Sequence, residues 1–301
     1  EWKTIFNWSK NNSMVESLPE GIDKIQIGSG VYNVKSYAEV GKPYGAIYAK
    51  TFKRDAEGYI LCQLDGSPKE GQDYEYLGCV QADWRGGWNN VFRLGNFSFS
   101  VMFDFQKGGK FFSQTSIQSS VDGQSVKSLE GRDADFFSRK ILGESDEERY
   151  GFMRPQNANT PTANGQIYPD WGRPKGVVLP NCRYDEDVEG LAGQQVLGYC
   201  TPERYWMHYT SRDISRFIYD ASYVKLREIT VSYDLPKKWL RKTPFQTFRV
   251  AAVGRNIATL FANTPHGLDP QATSTTGNAQ GFERGFNLPS ATYGFDIKVS
   301  F

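Results

Sequence analysis

The chain has 301 residues, 35 basic and 34 acidic, so its formal charge is only +1, which argues against the basic face of a nucleic-acid binder. Mean hydropathy is −0.55, and no run approaches the ~20 apolar residues of a spanning helix. A helical membrane protein is therefore excluded, but a membrane β-barrel, whose strands need an apolar residue only at every second position, is not.

In chain order, the sequence opens directly on a strand-like segment at 1–9 with no signal peptide, as expected of a piece that begins partway through a longer protein. Weaker strand candidates follow at 31–37 and 44–53. The clearest stretch is 96–106, NFSFSVMFDFQ. Phe97, Phe99, Val101, Phe103 and Phe105 alternate there with Ser98, Ser100, Met102, Asp104 and Gln106, giving a strand with one apolar and one largely polar face. The glycine pair in KGGK at 107–110 reads as a tight turn or a bulge, and a bulge within one long strand is preferred.

Two further segments repeat the pattern, 228–235 (EITVSYDL) and 247–254 (TFRVAAVG), joined by the short link 236–244. The last segment, YGFDIKVSF, puts Tyr293, Phe295, Ile297, Val299 and Phe301 on one face and Gly294, Asp296, Lys298 and Ser300 on the other. At about ten residues per strand the chain holds roughly eight to ten strands. The turn-rich stretches 121–220 and 262–290 are long for a compact domain but suit a barrel with short periplasmic turns and long extracellular loops. If Phe301 ends at the periplasmic rim, parity makes both stretches external and 236–244 a periplasmic turn.

The cysteines fall as two separated pairs, Cys62 with Cys79 and Cys182 with Cys200. None forms CxxC, so a zinc site has little support. Of three possible pairings the sequential one is natural in an oxidising compartment, with buried unpaired thiols as the alternative. Only His208 and His266 are available for histidine chemistry. Among 34 acidic residues a glycosidase-like pair can always be nominated, but nothing singles one out. No enzyme, cofactor or metal is expected.

The run ASYVKLREITVSYDLP at 221–236, then Gly254-Arg255-Asn256, Gly267-Leu268-Asp269-Pro270, Pro289 and the closing Tyr-Gly-Phe…Phe strand resemble, in order and spacing, the SusC/RagA family of TonB-dependent outer-membrane transporters. Upstream, 6–18, 41–48, Tyr76-Leu77-Gly78 and 86–105 are similar too, so the likeness covers the whole chain. Gln271 stands where the family commonly has Glu, and Asp83-Trp84-Arg85 replaces a proline-containing turn.

The resemblance implies an all-β fold: antiparallel C-terminal strands of a transmembrane β-barrel of about 22 strands with long extracellular loops. Residues 1–301 would be the C-terminal part, the plug domain and N-terminal strands lying outside this chain. It implies a multi-pass protein of the bacterial outer membrane in Bacteroidota. Its expected role is uptake of oligosaccharides or oligopeptides with a SusD-like surface lipoprotein as lid and TonB as energy source. The alternative is a secreted soluble β-rich module that binds glycans.

Trp84, Trp88, Trp171, Tyr205 and Trp206 are candidate ligand or lid contacts, against a bland role in girdles or loop packing. Tyr293, Phe295 and Phe301 resemble the signal read by the barrel-insertion machinery. Asp185, Glu186 and Asp187 suit either Ca²⁺ or a solvated acidic loop, and Arg255 either pairs with a lumen carboxylate or is structural.

Overall fold

The computed structural model describes residues 1–130, 177–200, 202–265, 267–273, 277, 280–285 and 289–301. The chain begins with β1 (Trp2–Ser9), then a first insertion with β2 (Lys24–Ser29), β3 (Lys35–Glu39), β4 (Ala46–Ala49), β5 (Ile60–Cys62) and β6 (Glu75–Cys79). β7 (Trp84–Leu94) and β8 (Phe97–Lys107) follow. A second insertion carries β9 (Lys110–Ser113), helix α1 (Gln114–Val121), β10 (Val177–Tyr184), β11 (Gln195–Cys200) and β12 (Ile218–Asp220). β13 (Tyr223–Asp234) and β14 (Thr247–Ala262) lead to a third insertion with β15 (Phe282–Glu283), and β16 (Thr292–Ser300) closes the order.

Six strands form one antiparallel sheet, β1-β7-β8-β13-β14-β16. Its register aligns the apolar faces read from the sequence. Phe97 lies opposite Leu94 and Tyr233, and Phe99 opposite Phe92 and Val231. Val231 lies opposite Ala252, and Ala252 opposite Phe295. A slip of one residue in any strand would turn its apolar set to the other side. One side of the sheet therefore carries Trp2, Phe6, Trp8, Phe92, Phe97, Phe99, Val231, Phe295 and Ile297, all exposed. Phe97 is 58% and Phe295 85% exposed, so these aromatics do not fill a core of this chain.

The six strands alternate in direction. Residues 95–96 and the link holding the short helix Lys237–Leu240 are the connections at one end. The three insertions, 10–83, 108–222 and 263–291, all leave from the other end. They build smaller sheets, β2-β3-β4-β6, β11-β10-β5 and β12-β9-β15, and two buried clusters between them. One joins Phe52, Ile60 and Cys62 to Val177, Cys182, Tyr205 and Trp206. The other joins Val34, Ile47 and Ala49 to Phe112, Ile214 and Phe217 and to Phe282 of the third insertion. What the sequence presents as separate loops is one packed cap with its own cores.

Several expectations need correction. Among the described residues there are sixteen strands rather than eight to ten, because the cap is built of short ones. The strand expected at 31–37 is β3, at Lys35–Glu39, since Tyr32 and Asn33 have positive φ (55° and 59°) and turn the chain. The one expected at 44–53 shortens to Ala46–Ala49 and an isolated bridge at Phe52. KGGK is neither a hairpin turn nor a bulge in one strand. Gly108 and Gly109, at φ +74° and +82°, end β8 and redirect the chain into β9, which joins a cap sheet. The Gly108 N–H donates to Ser222 Oγ at 2.8 Å and Ala221 N–H to the Gly109 carbonyl at 2.9 Å, fixing that departure.

Candidate lumen face and cap

The other side of the six-stranded sheet is polar by the same register. It presents Lys3, Asn7, Arg85, Asn89, Ser98, Ser100, Asp104, Lys225, Glu228, Ser232, Arg249, Asp296 and Lys298. These groups pair across strands. Ser100 Oγ donates to Asn89 Oδ1 at 3.1 Å, Arg249 forks onto Asp234 at 2.6 and 2.8 Å, and Arg255 Nε donates to Glu228 Oε2 at 2.9 Å. Arg255 thus takes a carboxylate on its own side of the wall.

Where the sheet meets the cap, three motifs converge on one network. Between Leu226 and Glu228 the ladder shifts register, so Arg227 is an extra residue relative to β8. A bulge of this kind re-aims a side chain. Arg227 donates to Asp104 on β8, to Asn256 Oδ1 at 2.5 Å and to Gln271 Oε1 at 2.8 Å. Asn256 sits at φ +53°, a left-handed conformation that Asn tolerates better than most residues. Gln271 Nε2 donates to Tyr223 Oη at 2.6 Å, and the buried Lys225 ammonium lies 2.5 Å from Asp269. The motif residues thus pin the stretch 267–273 of the third insertion onto the wall.

Beside this, a cavity of about 310 Å³ opens where β1 and β7 enter the cap, lined by Ser9, Asn11, Val80, Gln81, Ala82, Trp84, Arg85 and Gln280. It combines a guanidinium, three side-chain amides, a hydroxyl and an indole, and among the described residues no lining residue is acidic. Such a surface donates hydrogen bonds and stacks, which suits carbonyl- and hydroxyl-rich or anionic ligands. Sequence reading found Trp84 but missed Arg85, Asn11, Gln81 and Gln280, since the signal for them is spatial.

The other sequence candidates are placed differently. Trp88 lies on the apolar side of the sheet, stacked on Phe103 at 5.7 Å and donating through Nε1 to Thr4 Oγ1, and it does not line the cavity. Tyr205 and Trp206 are 1% and 2% exposed in a cap core. Trp206 Nε1 donates to the Glu130 carbonyl, and Tyr205 Oη accepts from Arg216. They hold the cap rather than contact a ligand. Trp171 lies outside the described residues.

Asp185 and Asp187 are occupied by lysines. Lys53 and Lys69 reach Asp185 at 2.9 and 2.8 Å, and Lys69 also reaches Asp187. Burial opposes ionisation of Asp185, but the two ammonium groups and the Glu186 N–H outweigh it and bring its pKa down to about 2. This arrangement uses the acidic cluster as an ion-pair clasp between the insertions.

The sequential cysteine pairing does not match the structure, which holds all four as thiols. Cys62, Cys182 and Cys200 share one core, whereas Cys79 lies on β6 in another sheet, its Sγ 3.3 Å from the Tyr44 carbonyl.

Tyr293 and Phe295 project from β16 on the apolar side, and Phe301 meets Phe245 edge to face at 5.3 Å.

A sheet with an apolar outer side, a hydrogen-bonded polar inner side, short turns at one end and large insertions at the other is a section of an outer-membrane β-barrel wall. Comparison with known proteins narrows the class. No protein-family model matches the chain. It is 23% identical over 314 residues to the TonB-dependent receptor P3 of Formosa agariphila, a match covering 97% of this chain and 25% of the receptor. It superposes on the RagAB peptide importer in its open-open and closed-closed states, with TM-scores of 0.50 and 0.52 at 15% and 16% identity. Those matches cover 100% of this chain and 27% of the importer chain. The chain is thus similar in sequence to a TonB-dependent receptor and has the fold of SusC/RagA-type TonB-dependent barrels, spanning about a quarter of the length of these relatives.

Proposed function

We propose that this chain is the C-terminal part of the barrel wall, with its external cap, of a TonB-dependent importer of oligosaccharides or oligopeptides. The observation that carries this reading is the phase shared by all six strands, lipid-compatible aromatics on one side and paired polar groups on the other. In this reading the cavity at Trp84 and Arg85 contacts substrate on its way into the lumen. The cap is the surface on which a SusD-like lipoprotein closes as a lid. The outward aromatics Tyr293, Phe295 and Phe301 supply the signal for membrane insertion. The plug and the segment that meets TonB belong to the longer polypeptide, whose other strands complete the barrel from the open edges of β1 and β16. A secreted soluble module would leave both edges and the aromatic side exposed to water, an aggregation hazard.

The test uses the full-length polypeptide in its native host. It should fractionate with the outer membrane, change gel mobility on heating, and be required for TonB-dependent uptake of labelled oligosaccharide or peptide. Recovery as a soluble monomer would overturn the reading.

A further inference from the structure

We propose that Cys62 and Cys182 form a disulfide in the mature protein, locking the first insertion to the second inside the cap. The two residues lie on neighbouring parallel strands, where Cys182 faces Ile60 and Cys62 faces Tyr184, a single side-chain repeat apart on one face. Their sulfurs crowd one point beside Gly198 of the third strand, and the Cys182 thiol donates to the Leu179 carbonyl at 3.2 Å. A cystine needs the two sulfurs drawn together to about 2.05 Å, and the space left by Gly198 is where they would meet.

The third strand of that sheet makes room for the pair. A Cβ at Gly198 would stand 2.6 Å from Cys182 Sγ and 3.3 Å from Cys62 Sγ. Gly198 has a negative φ, so its lack of a side chain is not needed for the backbone. It is needed for the two sulfurs, which occupy the space that any other residue at 198 would fill. Cys62 and Cys182 are 0% and 1% exposed, so no reagent reaches them once the cap is packed.

Oxidation therefore belongs to the stage before the cap closes. One thiolate attacks the disulfide of a periplasmic thiol oxidase and forms a mixed disulfide. The second thiolate displaces the oxidase, whose cystine leaves as a dithiol. Two thiols thus lose two electrons and two protons, and the oxidase gains them. Cys200, in the same core, is the bystander: it lies opposite Val177 at the far end of the β10–β11 ladder from Cys182. The bond would join residues 120 positions apart, and the loop closed in the unfolded chain is correspondingly long.

This inference rests on the outer-membrane reading only for its oxidising compartment. The test takes the full-length protein from outer membranes, unfolds it in N-ethylmaleimide without reductant, and maps the cysteines by peptide mass. The expected result is one linked pair carrying Cys62 and Cys182, two hydrogens lighter than the separate peptides and released by dithiothreitol. Cys79 and Cys200 should carry the reagent, and the same link should persist in Cys200→Ser and Cys79→Ser variants. Alkylation of all four cysteines in membrane-inserted protein would overturn the proposal while leaving the transporter reading intact. A link from either residue to Cys200 would overturn it as well. Fractionation of the same preparation tests the transporter reading separately.

Discussion

Arg227 and Asp104 form an ion pair across neighbouring strands of the wall, and the same guanidinium holds Asn256 on the opposite strand and Gln271 in the third insertion. This connection makes the position of an external segment depend on a wall bulge. Asn256 serves it twice, as hydrogen-bond acceptor and as the residue at φ +53°. The two roles separate by substitution. Asn256→Gly keeps the backbone but loses the acceptor, a cost of about 1.5–3 kcal/mol for a bond to a charged donor. Asn256→Ala should cost about 1 kcal/mol more through the left-handed backbone. Urea unfolding in detergent micelles, followed by tryptophan fluorescence, should rank wild type above Gly above Ala. Equal midpoints for the two variants would remove the backbone role.

Val101 lies opposite Asn90 and Ile229 on the apolar side, and Ser100 opposite Val91 and Thr230 on the polar side. Val101→Lys should destabilise the inserted barrel by about 2–4 kcal/mol if it sits near the bilayer midplane. Ser100→Lys, facing the lumen, should cost well under half of that. Folding into lipid vesicles across a denaturant series measures both; equal costs would contradict the assigned faces, and a larger cost at Ser100 would mean the sheet is inverted.

The alternation in β8, β13 and β16 made the wall readable, because a strand between lipid and water must choose one phase and keep it. The cap was not readable for a related reason. Phe52, Ile60, Val177 and Trp206 come from two insertions and bury against each other, so no local period marks any of them. β5 is three residues long and pairs with a strand about 120 positions away, too short for periodicity to register. Trp206, visible only as an aromatic in a turn-rich stretch, is a candidate for ligand contact or for packing by sequence alone, and it lies in a core. The departure at KGGK is fixed by Ser222 and Ala221 from over a hundred residues downstream, so only its glycines were visible. The cavity around Arg85 gathers residues from β1, the 80–82 turn and the third insertion, and Trp84 was its one member with a sequence signal.

The clasp at Asp185 makes the cap sensitive to acid. Its folded pKa of about 2 lies below the ~3.9 of an unfolded Asp, so folding favours the ionised form. The resulting stability, about 2 kcal/mol, is fully present above pH ~4 and is lost as pH falls through ~2. Thermal midpoints measured from pH 6 downward should show Asp185→Asn below wild type by a constant margin that closes between pH 4 and 2. A margin unchanged at pH 2 would mean that Asp185 acts through packing rather than charge.

Trp206 and Trp84 were equivalent candidates in the sequence and should now part company. Trp206 is buried against Tyr205, with ring centroids 5.2 Å apart, and its indole N–H reaches the Glu130 carbonyl. Trp206→Ala empties a core site and should cost about 3–5 kcal/mol, opening the cap to limited proteolysis between the first and second insertions. Trp84, half-buried, lines the cavity at the mouth of the wall, where removing its ring deletes a stacking surface. Trp84→Ala should leave the proteolysis pattern unchanged and lower the initial rate of substrate uptake several-fold, about the effect of losing 1–2 kcal/mol of ligand contact. Measuring both variants for protease pattern and uptake in the same cells distinguishes the roles. Unchanged uptake in Trp84→Ala would remove the cavity from the substrate path, and an intact cap in Trp206→Ala would contradict its place in the core.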